Sequence, residues 1–234
     1  MFVYEKKLQY PVKIKNPNAA MAKFIISQYG GPSGEAGAAM RYLSQRFSMP
    51  YAELKALYTD IGSEELGHLE MVGTIVHQLT RGLSEEELQK QGFSDYFVEH
   101  TTGVYPQGAS GEAFSAATLN VKGDVFADLS ESLAAEQKAR VTYDNILRMV
   151  DDPDVRDPIK FLRAREIVHY QRFADAKHTH SNRFVYEVYS RKKGTVEARQ
   201  SLIIIRKLHR IRFRRFQMWN EFQPILLLHL LIAE

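Results

Sequence analysis

Two Glu-x-x-His tetrapeptides, Glu65-Leu66-Gly67-His68 and Glu166-Ile167-Val168-His169, are the residues of this chain best suited to chemistry. A lone glutamate precedes each by thirty positions, Glu35 before Glu65 and Glu136 before Glu166. Residues three apart on a helix share a face. A carboxylate and an imidazole at that spacing can therefore reach inward to one pair of metal ions. One glutamate from each of two helices, with one Glu-x-x-His from each of the other two, is an established recipe for a two-metal site inside a four-helix bundle. The chain matches that recipe.

The helices that must carry these residues can be read from apolar spacing. Residues 1–17 form an extended arm, since Pro11 and Pro17 with alternating Val12, Lys13, Ile14 and Lys15 argue against helix. A helical stretch from about Asn18 to Tyr29 is broken by Gly30-Gly31-Pro32-Ser33-Gly34, where glycines let backbones pass closely. Glu35 opens the next stretch, to about Phe47. Tyr51 to Arg81 is the clearest helix, with the seam Leu54, Leu57, Ile61, Glu65, His68, Val72, Ile75, Leu79 in steps of three or four. Gly82 is a stop signal, and Ser84-Glu85-Glu86-Glu87 is a capping box for a short helix. Residues 92 to about 121 form a long crossover. A third bundle helix runs from about Gly123 to Val150, with the seam Leu129, Leu133, Glu136, Ala139 or Arg140, Tyr143, Ile146, Val150. Asp152-Pro153 starts the fourth, to about Lys177, with the seam Ile159, Leu162, Glu166, His169, Phe173, Ala176. The reading is an all-α four-helix bundle of ferritin-like topology, built from two matched hairpins at 35–68 and 136–169.

Four glutamates in the seams of packed helices would repel one another or have their pKa values forced upward, because a buried unpaired carboxylate is costly. Two divalent cations remove that problem. Oxygen and imidazole ligands without sulfur suit manganese or iron. A single Glu-x-x-His on a surface helix is commonplace and carries little information. What carries weight is that all six side chains fall in helix seams with equal spacing in both halves. Glu64 and Glu70 fall off the stripe and read as surface charge, and His178 and His180 lie beyond the seam and read as exposed. Tyr42, seven residues after Glu35, shares its face; it is either a core tyrosine or a hydrogen-bond donor to a ligand.

The chain has 234 residues and no cysteine, which excludes disulfides, thiolate metal sites and cysteine nucleophiles. Seven methionines remain, so the lack of cysteine says little about tolerance of oxidants. Charge is unevenly placed. Residues 178–234 hold 11 Lys+Arg against 4 Asp+Glu, while the rest holds 20 against 24. No secretory signal is expected from the opening residues, and the longest apolar run, 224–233, is interrupted by His229 and too short for a bilayer. Two regions follow: residues 1–177 as the metal-binding domain and 178–234 as a basic, apolar tail.

These residues resemble the manganese catalases. The resemblance lies in Leu8-Gln9-Tyr10, the turn Gly30-Gly31-x-x-Gly34-Glu35, Leu43-Ser44-Gln45, the run from Asp60 through Glu65, His68 and Met71, Val155-Arg156-Asp157, and Lys160-Phe161-Leu162 through Glu166 to His169. The opening from Val3 to Lys13 and the run Ala134 to Arg140 are in the style of the family's short spore-coat branch. The resemblance covers about residues 1–176. It implies that Glu35 and His68 bind one manganese, that Glu136 and His169 bind the other, and that Glu65 bridges them. Glu166 would stand beside the metal pair without ligating and act as proton shuttle, so Glu166 and Tyr42 are the candidate catalytic residues. The implied reaction is disproportionation of hydrogen peroxide to water and dioxygen at two manganese ions, although iron fits the same ligands. A homo-oligomer, commonly a hexamer, other spore-coat proteins as partners, and a spore-coat location reached from the cytoplasm are also implied; no membrane is. The thin arm at 1–17 suits contact with a neighbouring subunit.

The chain departs from the family at two places. Many members carry an arginine just before the third-helix glutamate, where this chain has Ala135, which bears on how closed and how active the site is. Some bind calcium near the second helix; Asp60 matches one such position but Ala56 offers no carboxylate, so calcium is not expected. The tail after Lys177 departs from the family's pattern. Its basic and aromatic run from Ile203 to Phe216 has the composition of a patch for nucleic acid or an anionic surface. A subunit-wrapping tail or an altered reading frame is the plainer reading, and nucleic acid is not an expected partner. Two competing functions remain: a di-iron oxidase or ferroxidase on the same bundle, and a structural coat protein with a vestigial site. The complete ligand set argues against the last.

Overall fold

The computed structural model describes residues 4–5 and 7–191, with side chains through Ser181. Eight α-helices appear among them: α1 Ala19–Ile25, α2 Ser27–Gly30, α3 Glu35–Gln45, α4 Ala52–Thr80, α5 Glu85–Lys90, α6 Ser94–His100, α7 Val125–Met149 and α8 Pro153–Arg191. No strand forms among the described residues; one isolated bridge joins Gln107 and Ala113. The fold is a ferritin-like helical bundle. Its four long members are the broken run α1–α3, then α4, α7 and α8. The residues Met1–His178 form one compact unit, and Thr179–Glu234 fall to a second. The basic tail expected from the sequence lies outside the described residues from 192 onward.

Each bundle helix buries a seam with alternating steps of three and four. On α4 it reads Leu54, Tyr58, Ile61, Glu65, His68, Val72, Ile75, Leu79, all buried. On α7 it reads Leu129, Ser132, Glu136, Ala139, Tyr143, Ile146, and on α8 Val155, Ile159, Leu162, Glu166, His169, Phe173. This period keeps one stripe toward its neighbours along the whole helix, as in coiled-coil-like packing. Two expected members move off the stripe. Leu57 and Leu133 are only half-buried, and Tyr58 and Ser132 take the seam instead. Tyr58 and Ser132 hydrogen-bond each other at 3.1 Å, so the polar groups satisfy one another inside.

Local signals set the ends. Asn18 caps α1 by accepting from Met21 N, and Asp124 caps α7 through Phe126 and Ala127. The capping box of Ser84 and Glu87 is complete. Gly82 sits at φ 71, a backbone region only glycine enters freely, and stops the chain after α4. Asp152 accepts from Asp154 N at 2.9 Å and opens α8 ahead of Pro153. The fourth helix does not end near Lys177. No glycine or proline follows until Gly194, so nothing stops it, and the described helix continues to Arg191.

The connection between α4 and α7 is less bare than its composition suggests, because it holds α5, α6 and a 3₁₀ turn at Ala116–Thr118. It crosses the front of the bundle over Gly30, where an added Cβ would lie 2.3 Å from the Pro106 carbonyl carbon. Buried Arg41 of α3 ties its far end, donating to the carbonyls of Leu119 at 2.9 Å and Thr118 at 3.2 Å. The arm is pinned along its own chain. Val12 and Ile14 are buried, Gln78 of α4 bonds the backbone of both, and Arg81 donates to Ile14 O. Residues 12–18 are thus held against α4 of the same chain. The apolar core fills one end of the bundle, from α1 and the arm to Met71–Leu79, Tyr143–Val150 and Val155–Leu162. The polar seam residues occupy the middle.

Candidate metal centre

All six side chains singled out by spacing meet in the middle of the bundle. Glu35, Glu65, His68, Glu136, Glu166 and His169 are each at most 2 % exposed. Their positions follow from the seams. Glu35 is the first residue of α3, fixed by the turn over Gly30 and Gly34, and Glu136 lies midway along α7. The two Glu-x-x-His pairs lie on α4 and α8.

Glu65 lies at the centre. Its Oε2 is 2.7 Å from His68 Nδ1 and its Oε1 is 2.8 Å from His169 Nδ1, so one carboxylate spans both imidazoles. Glu35 Oε2 stands 3.9 Å from His68 Nδ1 and Glu136 Oε2 stands 3.7 Å from His169 Nδ1. The two rings face each other with centroids 5.5 Å apart. Glu65, His68, Glu166 and His169 each offer a donor atom within 4.8 Å of the others. Glu166 is thus part of the inner group. Glu65 Oε1, Glu136 Oε2, Glu166 Oε1 and His169 Nδ1 are buried without a hydrogen-bond partner. Buried polar atoms are normally satisfied. Orphaned oxygens and an imidazole nitrogen crowded together, with no sulfur among them, fit a pair of manganese or iron ions.

The electrostatics of the protein alone agree. Burial, then the Glu65 charge, pushes Glu35 well above the usual carboxylate range. Burial, then Glu35 and Glu136, does the same to Glu166, and burial raises Glu136. Burial alone would lower His68 and His169, but the carboxylates around them, Glu65 with Glu64 and Glu35 at His68 and Glu65 with Glu136 and Glu64 at His169, together outweigh it and hold them up at about 10 and about 12. In the bare protein, protons supply the positive charge that this cluster demands.

Tyr42 donates to Glu136 Oε1 at 2.5 Å, across the bundle from its own helix partner Glu35. Both readings its position allows have a counterpart here: Tyr42 is fully buried in the bundle, and its hydroxyl donates to a carboxylate of the cluster. Its ring packs on Phe173 and Tyr58, closing one end of the site. Three contributors were not legible as such. Tyr143 of α7 donates to Glu35 Oε1, the reciprocal of the Tyr42 contact. Glu64, read from the stripe as surface charge, is instead only 14 % exposed and faces His68 Nε2 at 3.5 Å and His169 Nε2 at 3.1 Å. Arg165 grips Glu64 through Nε at 2.6 Å and Nη2 at 3.2 Å. A signal for Tyr143 and Arg165 was present. Glu64 and Arg165 are 101 positions apart, and so are Glu35 and Glu136, Tyr42 and Tyr143, Glu65 and Glu166, and His68 and His169.

Glu70 accepts from Tyr4 OH, and Asp60 pairs with Arg172 at 2.5 Å, away from the six residues. His178 is exposed, but His180 is buried, contrary to its reading as exposed; the helix that carries it does not end near Lys177 but continues to Arg191. Of the two α7 candidates, Ala139 takes the seam and Arg140 pairs with Asp144 at 2.6 Å.

The sequence model of the family described as "Manganese containing catalase" matches residues 1–221. The chain belongs to the manganese catalase family. The match extends beyond the 1–176 over which motifs alone show the resemblance. The chain is 49% identical over 176 residues to Protein CotJC of Bacillus subtilis, covering 75% of this chain and 93% of that one. It is 37% identical over 178 residues to a probable manganese catalase of Clostridium acetobutylicum, covering 75% and 79%. Among solved structures, KatB, a manganese catalase from Anabaena, superposes with a TM-score of 0.71 at 33% identity, covering 76% of this chain and 80% of that one. Family membership supports a catalase-type function with manganese as cofactor and hydrogen peroxide as substrate. No described helix is long and apolar enough to cross a membrane.

Proposed function

We propose that this protein is a manganese-dependent catalase that converts two molecules of hydrogen peroxide into two of water and one of dioxygen. In this reading residues 1–177 are the catalytic domain and 178–234 an appended basic tail. Glu35 and His68 would hold one manganese, Glu136 and His169 the other, and Glu65 would be shared between them. The observation that carries the reading is the position of Glu65, with one oxygen 2.7 Å from one imidazole and the other 2.8 Å from the second. Two manganese ions, when bound, supply a two-electron couple in which each changes by one.

The residues of the chain do the rest. Glu166 has an unpartnered buried oxygen beside the cluster and favours its protonated form, so it can hold a proton and exchange it with peroxide oxygen as a general acid–base. Tyr42 and Tyr143 fix the carboxylates of Glu136 and Glu35 by hydrogen bonds from outside. Phe173 and Tyr58 exclude water from one end. Likeness to CotJC supports a place in the spore coat, where the protein would work as a homo-oligomer, a hexamer by family pattern, among other coat proteins.

Metal analysis of protein purified without added metal, combined with oxygen evolution on peroxide, tests this. Two manganese per chain and one dioxygen per two peroxides consumed are expected. Bound iron with no oxygen evolved defeats the proposal in favour of a di-iron oxidase. Glu65→Ala should abolish peroxide decay; unchanged assembly and decay would favour a purely structural coat protein.

A further inference from the structure

We propose that Glu64 is a positioning residue that holds both inward-facing imidazoles at once, with Arg165 as its clamp. The inference rests on the two-metal reading above and concerns how this chain builds the pair. His68 Nε2 and His169 Nε2 are fully buried and have no hydrogen-bond partner. Buried imidazole N–H groups of metal-binding histidines call for an acceptor on the side away from the ion. One carboxylate faces both. Glu64 Oε1 lies 3.5 Å from His68 Nε2, and Glu64 Oε2 lies 3.1 Å from His169 Nε2. Neither contact is aligned as a hydrogen bond here; such contacts tighten when a site is filled.

Arg165 explains why the carboxylate stays there. Its Nε and Nη2 grip the two oxygens of Glu64 separately, the fork geometry that fixes a carboxylate plane. The two residues occupy equivalent positions in the two halves, each just before a Glu-x-x-His glutamate. An exact repeat would place like residues there. Two glutamates would repel, and two arginines would offer the imidazoles no acceptor. A glutamate in one half and an arginine in the other gives a single acceptor on the pseudo-two-fold axis, serving both rings. With both Nε2–H groups turned to Glu64, both Nδ1 atoms face Glu65.

The arrangement predicts an asymmetric defect. In Glu64→Gln the amide has one acceptor. Its oxygen takes the Oε1 position, nearest Arg165 Nε, leaving –NH2 against His169 Nε2, where two donors meet. Titration of the metal-free full-length chain with manganese(II) alone reads this. Wild type should take up two equivalents tightly. Glu64→Gln should keep one and weaken the other about 10- to 100-fold, and at one equivalent should show the six-line resonance of an isolated manganese(II). Two wild-type equivalents in the variant, or equal weakening of both, would overturn the role of Glu64. Arg165→Met reads the same claim from the clamp and does not depend on the first variant folding. It leaves Glu64 free to swing, so both equivalents should weaken together, and wild-type binding would count against the clamp. Fewer than two equivalents in wild type would instead overturn the two-metal reading, and the role of Glu64 with it.

Discussion

Tyr42 and Tyr143 exchange partners: each sits seven residues after one lone glutamate and donates to the other. Each hydroxyl therefore ties α3 to α7 at the level of the site and fixes the oxygen that its glutamate turns inward. Removing one hydroxyl leaves a fully buried carboxylate oxygen without its donor, a loss of about 1–3 kcal/mol. Tyr143→Phe should lower manganese affinity on the Glu35 side about 10-fold, as Tyr42→Phe should on the Glu136 side, within the range for residues that orient ligands. Titration with manganese(II) checks this; a Tyr143→Phe protein indistinguishable from wild type would make the contact incidental. At this scale the sequence was readable where a residue broke an apolar stripe. Glu65, His68, Glu166 and His169 stood out because charge is expensive in a seam. Glu64 did not, because it sits beside the stripe, and its burial comes from Arg165 on a helix 101 residues away. The three-and-four period of one helix cannot register a partner on another; only the 101-residue offset between the two halves pairs Glu64 with Arg165. Tyr143 was hidden for the opposite reason, as a tyrosine in a seam looks like ordinary core.

The elements were legible wherever local chemistry set them. The starts of α5 and α8 are legible in Ser84 and Asp152-Pro153, those of α1 and α7 lie near the expected Asn18 and Gly123, and Gly82 ends α4. What could not be read was set by distant contacts. The sequence shows the arm as extended but not its partners on the same chain, Gln78 and Arg81, which hold Val12 and Ile14. The glycine-rich turn before Glu35 had a visible purpose but no visible partner; the partner is the crossover, which passes against Gly30. Gly30→Ala would drive a methyl into backbone atoms of Pro106 and Gln107 at 2.3–2.4 Å. Backbone cannot rotate aside as a side chain can, so the crossover must lift. A loss of about 1–3 kcal/mol is expected from such overpacking, read as a lower urea midpoint, with faster proteolysis between residues 101 and 123. Unchanged stability would mean that the crossover does not hold the turn that positions Glu35.

At the scale of the whole molecule, the site converts pH into stability in opposite senses with and without metal. The metal-free protein carries its site as a set of bound protons. Glu35, Glu136 and Glu166 have pKa values above the ordinary 4.5, through burial first and neighbouring carboxylates second. Their contribution to stability is whole below that value and is lost as pH rises through the raised one. His68 and His169, held at about 10 and about 12 against an ordinary 6.5, add to this in the same direction: their stabilisation is whole below 6.5 and lost toward those values. Glu64 and Glu65 are held below the ordinary carboxylate range, so their contribution is already complete above 4.5 and is lost only in acid. Between pH 5 and pH 9 every group of the site that titrates therefore destabilises the bare fold as protons leave. Manganese replaces those protons, and its binding strengthens as the ligands deprotonate. The gap in melting temperature between manganese-loaded and chelator-treated protein should widen steadily from pH 5 to pH 9. Thermal melts at several pH values with and without metal check this, and a gap that stays level or shrinks would mean that the six side chains do not hold their protons in common with the ions.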